Sequence, residues 1–192
     1  MQLSTTKNVA LVSYLVKFIF SFCILYFGTL AFIGLVSPRG YYLPFLDHYV
    51  NYIAWLRASL LYAVSQLVSL TGAQTFNSNI YSIGIKNGSS IHIVYSCLGY
   101  GIMSFWTAFI VANTGDWKRK TSWIVSGILL IWCINVLRLF LLLISNNNKW
   151  KVPFKIDHHT LFNIMAYGCI FILIYFFDKS GKRIKERNYD IS

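Results

Sequence analysis

The stretch that decides the fold is WIVSGILLIWCINVLRLFLLLI, residues 123–144, in which Arg138 is the only charged side chain. A helix needs roughly 20 apolar residues to cross the hydrocarbon core of a bilayer, which is about 30 Å thick. Residues 123–144 meet that length, and the basic block Lys118-Arg119-Lys120 precedes them. Because short cytoplasmic loops are rich in Lys and Arg, the pattern predicts a transmembrane helix that starts at the cytoplasmic side.

The composition of the whole chain is typical of a membrane protein. Its 192 residues are 56% hydrophobic and 12% charged, whereas soluble domains carry about 25% charged residues. The net charge of +11 lies mainly in short blocks between apolar runs. This placement indicates membrane lipids with acidic headgroups as partners, and no nucleic acid. We expect one domain over residues 1–192.

Three further stretches are apolar enough to cross the membrane, and they cover residues 9–36, 98–113 and 159–177. The basic tail, residues 178–192, is predicted to be cytoplasmic like the block that precedes residue 123. Residues 72–97 and 145–158 then fall on the outer side. The predicted fold class is an all-α integral membrane protein, a multi-pass bundle of four or five transmembrane helices in the cytoplasmic membrane.

A fifth apolar stretch, residues 49–71, contains polar side chains such as Asn51, Arg57 and Gln66. If the N-terminus is cytoplasmic, this stretch lies along the outer surface as an interfacial helix, and Arg57 snorkels toward water. The alternative is a fifth crossing with the N-terminus outside. The lysines near the N-terminus favour the interfacial helix.

Residues 72–96 change in composition to Asn, Ser, Gly and alternating β-formers. Ile83 and Ile85 precede Asn87-Gly88, and Ile91 and Ile93 follow it. Asn-Gly between two alternating runs predicts a β-hairpin, because both residues tolerate positive φ. The hairpin is expected on the outer surface, where it delivers the chain to Cys97.

Three separate apolar segments place a reactive residue type at the same outer depth. Cys97 opens one helix, Arg138 lies about 24 Å from the cytoplasmic end of another, and His158 and His159 open the last. Asn135 lies one turn before Arg138. A thiol, an imidazole and a guanidinium together suit acyl transfer, with nucleophile, general base and oxyanion stabiliser. The cysteines form no CxxC pair or Cys/His zinc pattern, so no metal or other cofactor is implied.

These residues resemble the exosortases and archaeosortases. That family has a Cys followed closely by Gly, an Asn-x-x-Arg helix, and a His that opens the last helix. The matching motifs here are Ser96-Cys97-Leu98-Gly99, Asn135-Val136-Leu137-Arg138 and His159-Thr160-Leu161-Phe162-Asn163, in the family's order. The resemblance covers about residues 72–177 and implies catalytic roles for Cys97, Arg138 and His159.

Two positions depart from the family pattern. The family often has a second Arg shortly after the Cys, where this chain has Leu98-Gly99-Tyr100, and Asn163 stands where a Gly is common. His158 also precedes the favoured His159, and it is a possible supporting residue together with Asp157, Asn135 and Asn163.

The resemblance implies a compact bacterial exosortase-like cysteine transpeptidase. Its substrates would be exported proteins with a C-terminal sorting signal made of a short motif, a transmembrane helix and a basic tail. The enzyme would cleave near the motif, at the outer face of the cytoplasmic membrane, and transfer the protein to a lipid or surface-polymer acceptor. The alternative is a non-catalytic membrane scaffold or an assembly factor for export of a surface polysaccharide.

Overall fold

A computed structural model describes the backbone of residues 2–37, 40–148 and 158–189, and the side chains of residues 8–37, 40–77, 79–148 and 164–181. The described chain forms two compact units, residues 1–150 and residues 151–192. The first unit holds five α-helices and a small antiparallel sheet. The second unit holds one long helix.

The helices of the first unit are α1 (Gln2–Val36), α2 (Pro44–Tyr49), α3 (Tyr52–Leu70), α4 (Tyr100–Ala112) and α5 (Trp117–Asn147). Local chemistry sets several of their ends. Asn51 caps α3, since its side-chain oxygen accepts from the backbone N–H of Ala54 at 2.9 Å. Asp116 caps α5 in the same way by accepting from the N–H of Lys118 at 3.2 Å. Such caps satisfy backbone donors that have no partner within the helix.

Among the described residues, four helical segments are long and apolar enough to cross a membrane, which confirms the predicted fold class. They span Asn8–Val36, Pro44–Leu70, Trp117–Asn147 and Ile164–Gly181. One detail differs from the prediction, because α4 has 13 residues. That length gives about 20 Å of helix, less than the roughly 30 Å of hydrocarbon. The apolar segment Pro44–Leu70 reaches the required length but is interrupted between α2 and α3.

The predicted hairpin is present, within a sheet of three strands. The strands are β1 (Thr75–Asn79), β2 (Ser82–Ile85) and β3 (Ser90–His92), in that spatial order. The turn between β2 and β3 contains Asn87, whose φ is +61°. Strand β1 extends the hairpin on one side, with Thr75 opposite Ile85.

The sheet, α3 and α5 share one hydrophobic core. Isoleucines of β2 and β3 pack there against one face of α3 and against the C-terminal half of α5. Two hydrogen bonds fasten the hairpin turn to the end of α5, from the Ser89 N–H to Asn147 Oδ1 at 3.4 Å and from Ser89 Oγ to the Asn146 carbonyl at 3.1 Å. Trp132 Nε1 donates to Ser59 Oγ at 3.0 Å and links α5 to α3.

Helices α1, α4 and α5 form the rest of the first unit. Aromatic rings of α1 and α4 alternate along their contact, as in the edge-to-face pair Phe18 and Phe105, whose centroids are 5.4 Å apart. Trp106 of α4 is fully buried, and its Nε1 donates to the carbonyl of Trp123 at 3.0 Å. These contacts hold the short helix α4 between two long ones.

The second unit is α6 (His158–Tyr189). Within the part of α6 whose side chains are described, Ile164–Gly181 is long and apolar enough to span a membrane. The helix continues through most of the basic segment 178–192. The segment predicted as a tail is therefore largely helical.

Candidate active site

The thiol of Cys97 lies in a tight 3₁₀ turn, Tyr95–Leu98, that connects the sheet to α4. Backbone pairing continues past β3, since the N–H of Ile93 donates to the carbonyl of Tyr81 at 2.7 Å. The N–H of Cys97 then donates to the carbonyl of Val94 at 2.9 Å and closes the turn. Cys97 is only 5% exposed. The sheet before the turn and helix α4 after it thus fix the position of Cys97.

Gly99 ends the 3₁₀ turn and starts α4. Its φ is +78°, in the left-handed region that glycine adopts without strain. Its carbonyl accepts the first hydrogen bond of α4, from the N–H of Met103 at 3.0 Å. The chain can therefore reverse direction immediately after Cys97.

Arg138 of α5 reaches the sulfur. Its Nη2 donates to Cys97 Sγ over 3.9 Å. Arg138 is partly buried, so the contact is shielded from solvent on part of its surface. The structure therefore brings together two of the three residues to which the sequence assigned catalytic roles.

Asn135 lies one turn before Arg138 on α5 and is 1% exposed. Its side-chain amide packs directly against Gly99, where a β-carbon would collide with Nδ2. Both Oδ1 and Nδ2 are buried, and no described residue is a hydrogen-bond partner for either atom. A buried amide without partners is costly, so its presence beside Cys97 needs a reason.

The other predicted site residues lie outside the described part of the structure. Asp157 falls in the segment 149–157, which is not described. His158, His159 and Asn163 lie in the first turns of α6, but their side chains are not among the described ones. Their roles stay predictions from the sequence.

Arg57 differs from its prediction. The residue was expected to snorkel toward water, but it is 5% exposed. Its guanidinium carbon lies 4.3 Å from the ring centroid of Tyr81 and 4.9 Å from that of Tyr95. No local sequence pattern predicts this arrangement, because Tyr81 lies in the turn between β1 and β2 and Tyr95 lies in the 3₁₀ turn. Tyr95 begins the same turn that carries Cys97.

The arrangement of Cys97 and Arg138 has a definite chemical capacity. The contact places a fixed positive charge next to a side chain that can act as a nucleophile. A guanidinium carries five N–H donors in a planar fork, and charged donors of this kind stabilise the oxyanions of acyl transfer. The described part of the chain contains no group of His, Cys, Asp and Glu that could hold a metal ion.

Comparison with known protein families identifies the family of the chain. The family model for "Transmembrane exosortase (Exosortase_EpsH)" matches residues 1–176. The chain belongs to this family. The resemblance read from the motifs around Cys97, Arg138 and His159 is thereby confirmed, and the match also includes α1, α2 and α3. No curated protein and no solved structure matches the chain significantly. Membership of the exosortase family makes the chain a multi-pass membrane protein and suggests a membrane sorting transpeptidase for exported proteins.

Proposed function

We propose that the chain is a cysteine transpeptidase that cleaves C-terminal sorting signals of exported proteins at the outer face of the cytoplasmic membrane. The observation that carries the proposal is the 3.9 Å contact between Arg138 Nη2 and Cys97 Sγ in a member of the exosortase family. The pairing supplies a nucleophile and a fixed positive charge in one partly buried place. Those are two of the elements that acyl transfer requires.

The outer location of the site is supported by the sheet beside it. Strands at the edge of an open sheet expose backbone N–H and C=O groups, which cannot be left unpaired in hydrocarbon. The three-stranded sheet therefore belongs in the interface or in water. Because Cys97 follows β3 by a few residues, its thiol lies near that boundary. The basic block at residues 118–120 marks the opposite, cytoplasmic end of α5.

The proposed reaction begins with proton transfer from the Cys97 thiol to His159. The thiolate attacks the carbonyl carbon of the scissile peptide bond, and the new C–S bond leaves negative charge on the carbonyl oxygen. Arg138 stabilises that oxyanion. When the C–N bond breaks, the departing amine takes the proton from the His159 imidazolium, and the client protein remains on Cys97 as a thioester.

The second half of the reaction releases the client. A hydroxyl or amine of the acceptor gives its proton to His159 and attacks the thioester carbon. The C–S bond breaks, and Cys97 leaves as the thiolate. We propose a lipid or a surface polymer as the acceptor. The client signal is proposed to consist of a short motif, a transmembrane helix and a basic tail.

The test is co-expression with exported proteins that carry such C-terminal signals. The wild-type chain is expected to remove the C-terminal segment, and Cys97→Ala is expected to leave it intact. Cys133→Ala is the matched control, because Cys133 is an exposed cysteine on α5. Mass spectrometry of the new client C-terminus distinguishes transfer from hydrolysis by an added acceptor mass.

Normal client processing by Cys97→Ala would exclude the proposed chemistry. If no variant of Cys97, Arg138 or His159 changes processing while surface polysaccharide export fails, the chain acts as a scaffold or assembly factor instead. Expression and membrane insertion of each variant are measured in the same cells, so that loss of protein is not mistaken for loss of activity.

A further inference from the structure

A buried guanidinium lies on α3, apart from the pair formed by Cys97 and Arg138. The guanidinium carbon of Arg57 lies over the rings of Tyr81 and Tyr95, 4.3 Å and 4.9 Å from their centroids. Its Nε is buried, and no described residue accepts a hydrogen bond from it. The two rings are the partners that the described structure gives this charge.

The sequence on either side of Arg57 contains almost no negative charge. Between residues 40 and 98 the sequence contains one acidic residue, Asp47. Its carboxylate accepts from Tyr42 at 2.9 Å and from Asn51 at 2.6 Å. No ion pair with Arg57 occurs among the described side chains, so within that part of the chain its charge has no acidic partner.

The geometry of the cation selects the kind of counter-charge. Ring contacts offset part of the cost of burying a guanidinium, but a buried charge also requires hydrogen bonds. The rings approach the guanidinium carbon to 4.3 Å and 4.9 Å, and the N–H donors of any guanidinium lie in its own plane. An oxyanion that accepts two parallel hydrogen bonds fits this edge, and carboxylate and phosphate both have that shape.

The surroundings favour phosphate from a membrane lipid. Helices α2 and α3 present a row of exposed aromatic side chains on either side of Arg57 in the sequence, namely Phe45, Tyr49, Tyr52, Trp55 and Tyr62. Trp and Tyr concentrate at the headgroup level of a bilayer. We propose that Arg57, Tyr81 and Tyr95 form a site for the phosphate group of a phospholipid, next to the turn that carries Cys97. This binding is independent of the catalysis proposed above.

The test measures lipid bound to the purified full-length protein in detergent by native mass spectrometry. The probe is dioleoylphosphatidylcholine, and dioleoylglycerol, which lacks the phosphate, is the comparison ligand.

Arg57→Gln is expected to bind the phospholipid about tenfold more weakly, as loss of a charge-assisted bidentate contact implies. Lys86→Gln is the matched control, because Lys86 is an exposed cation near the same sheet. Cys97→Ala should bind like wild type, which separates this site from catalysis.

Equal phospholipid binding by Arg57→Gln and wild type would overturn the proposal, and so would equal binding of dioleoylglycerol by the wild-type chain. Displacement of the lipid by the same concentration of inorganic phosphate would overturn the lipid as its source. Displacement by an equal concentration of a short peptide with a free C-terminus would assign the site to a peptide carboxylate.

If Arg57→Gln does not fold, Arg57→Lys serves instead, since it keeps the charge without the planar fork. Its binding should be several-fold weaker, and wild-type binding would contradict the site.

Discussion

The side-chain amide of Asn135 occupies the place where any residue other than glycine at position 99 would put its β-carbon. Gly99 also has a positive φ of +78°. Two separate constraints therefore select glycine two residues after the candidate nucleophile. The close approach lets α5 hold the turn of Cys97 while Arg138, one helical turn further along, contacts the sulfur.

Gly99→Ala is predicted to destabilise the site more than its backbone conformation alone explains. The left-handed conformation costs a non-glycine residue about 1–2 kcal/mol, and the collision with Asn135 adds roughly 1–3 kcal/mol of overpacking. Gly72→Ala is the matched control, because Gly72 has a φ of +80° and open space around its missing β-carbon. Thermal unfolding of both variants in detergent measures the difference.

A double variant, Gly99→Ala with Asn135→Ala, isolates the steric part of that effect. Removing the amide should return the unfolding temperature toward that of Gly72→Ala. If Gly99→Ala and Gly72→Ala have equal unfolding temperatures, Asn135 does not restrict position 99.

Three of the four membrane-length apolar segments, those in α1, α5 and α6, and the Asn87-Gly88 hairpin were predictable because each depends on a local pattern of hydropathy or turn chemistry. For the fourth, Pro44–Leu70, the sequence favoured an interfacial helix and left a crossing as the alternative, while it predicted a crossing for residues 98–113, where α4 is too short. Strand β1 was not predictable, since its sequence, TFNSN, lacks an alternation of apolar residues and owes its conformation to pairing with β2. The surroundings of Arg57 were not predictable either. They depend on tyrosines 24 and 38 positions further along the chain, brought back by the sheet. The proximity of Cys97 and Arg138 followed from the predicted topology. The close packing of the Asn135 amide against Gly99 was not predictable from the sequence, and only the structure shows it.

Gly127→Ala is predicted to loosen the contact between α4 and α5. A β-carbon at Gly127 would collide with the indole of Trp106, which is fully buried and hydrogen-bonded to the carbonyl of Trp123. We expect a loss of roughly 1–3 kcal/mol in unfolding free energy. Gly28→Ala on α1 is the control, because no atom lies within 4 Å of its missing β-carbon. A lower unfolding temperature for Gly28→Ala than for Gly127→Ala would contradict this account.

The hairpin is predicted to lie outside the cytoplasm, while the start of α5 lies inside. Lys86→Cys and Lys118→Cys replace two exposed lysines, one beside the hairpin turn and one in the basic block. In intact cells, a membrane-impermeant maleimide should label Cys at position 86 and not at position 118. Permeabilisation should expose the second site. Labelling of position 86 only after permeabilisation would reverse the topology and remove the outer-face site.

Arg138→Lys is predicted to preserve expression and membrane insertion but to lose most client processing. Lys keeps a positive charge, yet its compact ammonium lacks the planar fork that lets Arg contact a sulfur and an oxyanion together. Loss of an oxyanion donor typically lowers the rate about 10²–10³-fold. Processing and expression are measured together for Arg138→Lys and Arg138→Ala. Near-normal processing by the Lys variant would indicate that Arg138 serves as a lipid anchor.

Asn135→Leu is predicted to affect the unfolding temperature and client processing differently. Leu has the same branching as Asn, with methyl groups in place of the amide atoms, and it removes two buried polar atoms for which no described residue is a hydrogen-bond partner. An unsatisfied buried polar group costs roughly 1–3 kcal/mol, so an apolar replacement of the same shape should maintain or raise the unfolding temperature. If the amide serves the reaction, by donating to the substrate or positioning the turn of Cys97, client processing should fall at the same time. Asn135→Asp keeps the size of the side chain but replaces its N–H donors with an ionisable carboxyl group, so retained processing is the informative outcome for this variant. Processing by Asn135→Asp at the wild-type rate would exclude a donor role, and lower stability of Asn135→Leu would show that the amide has a structural partner.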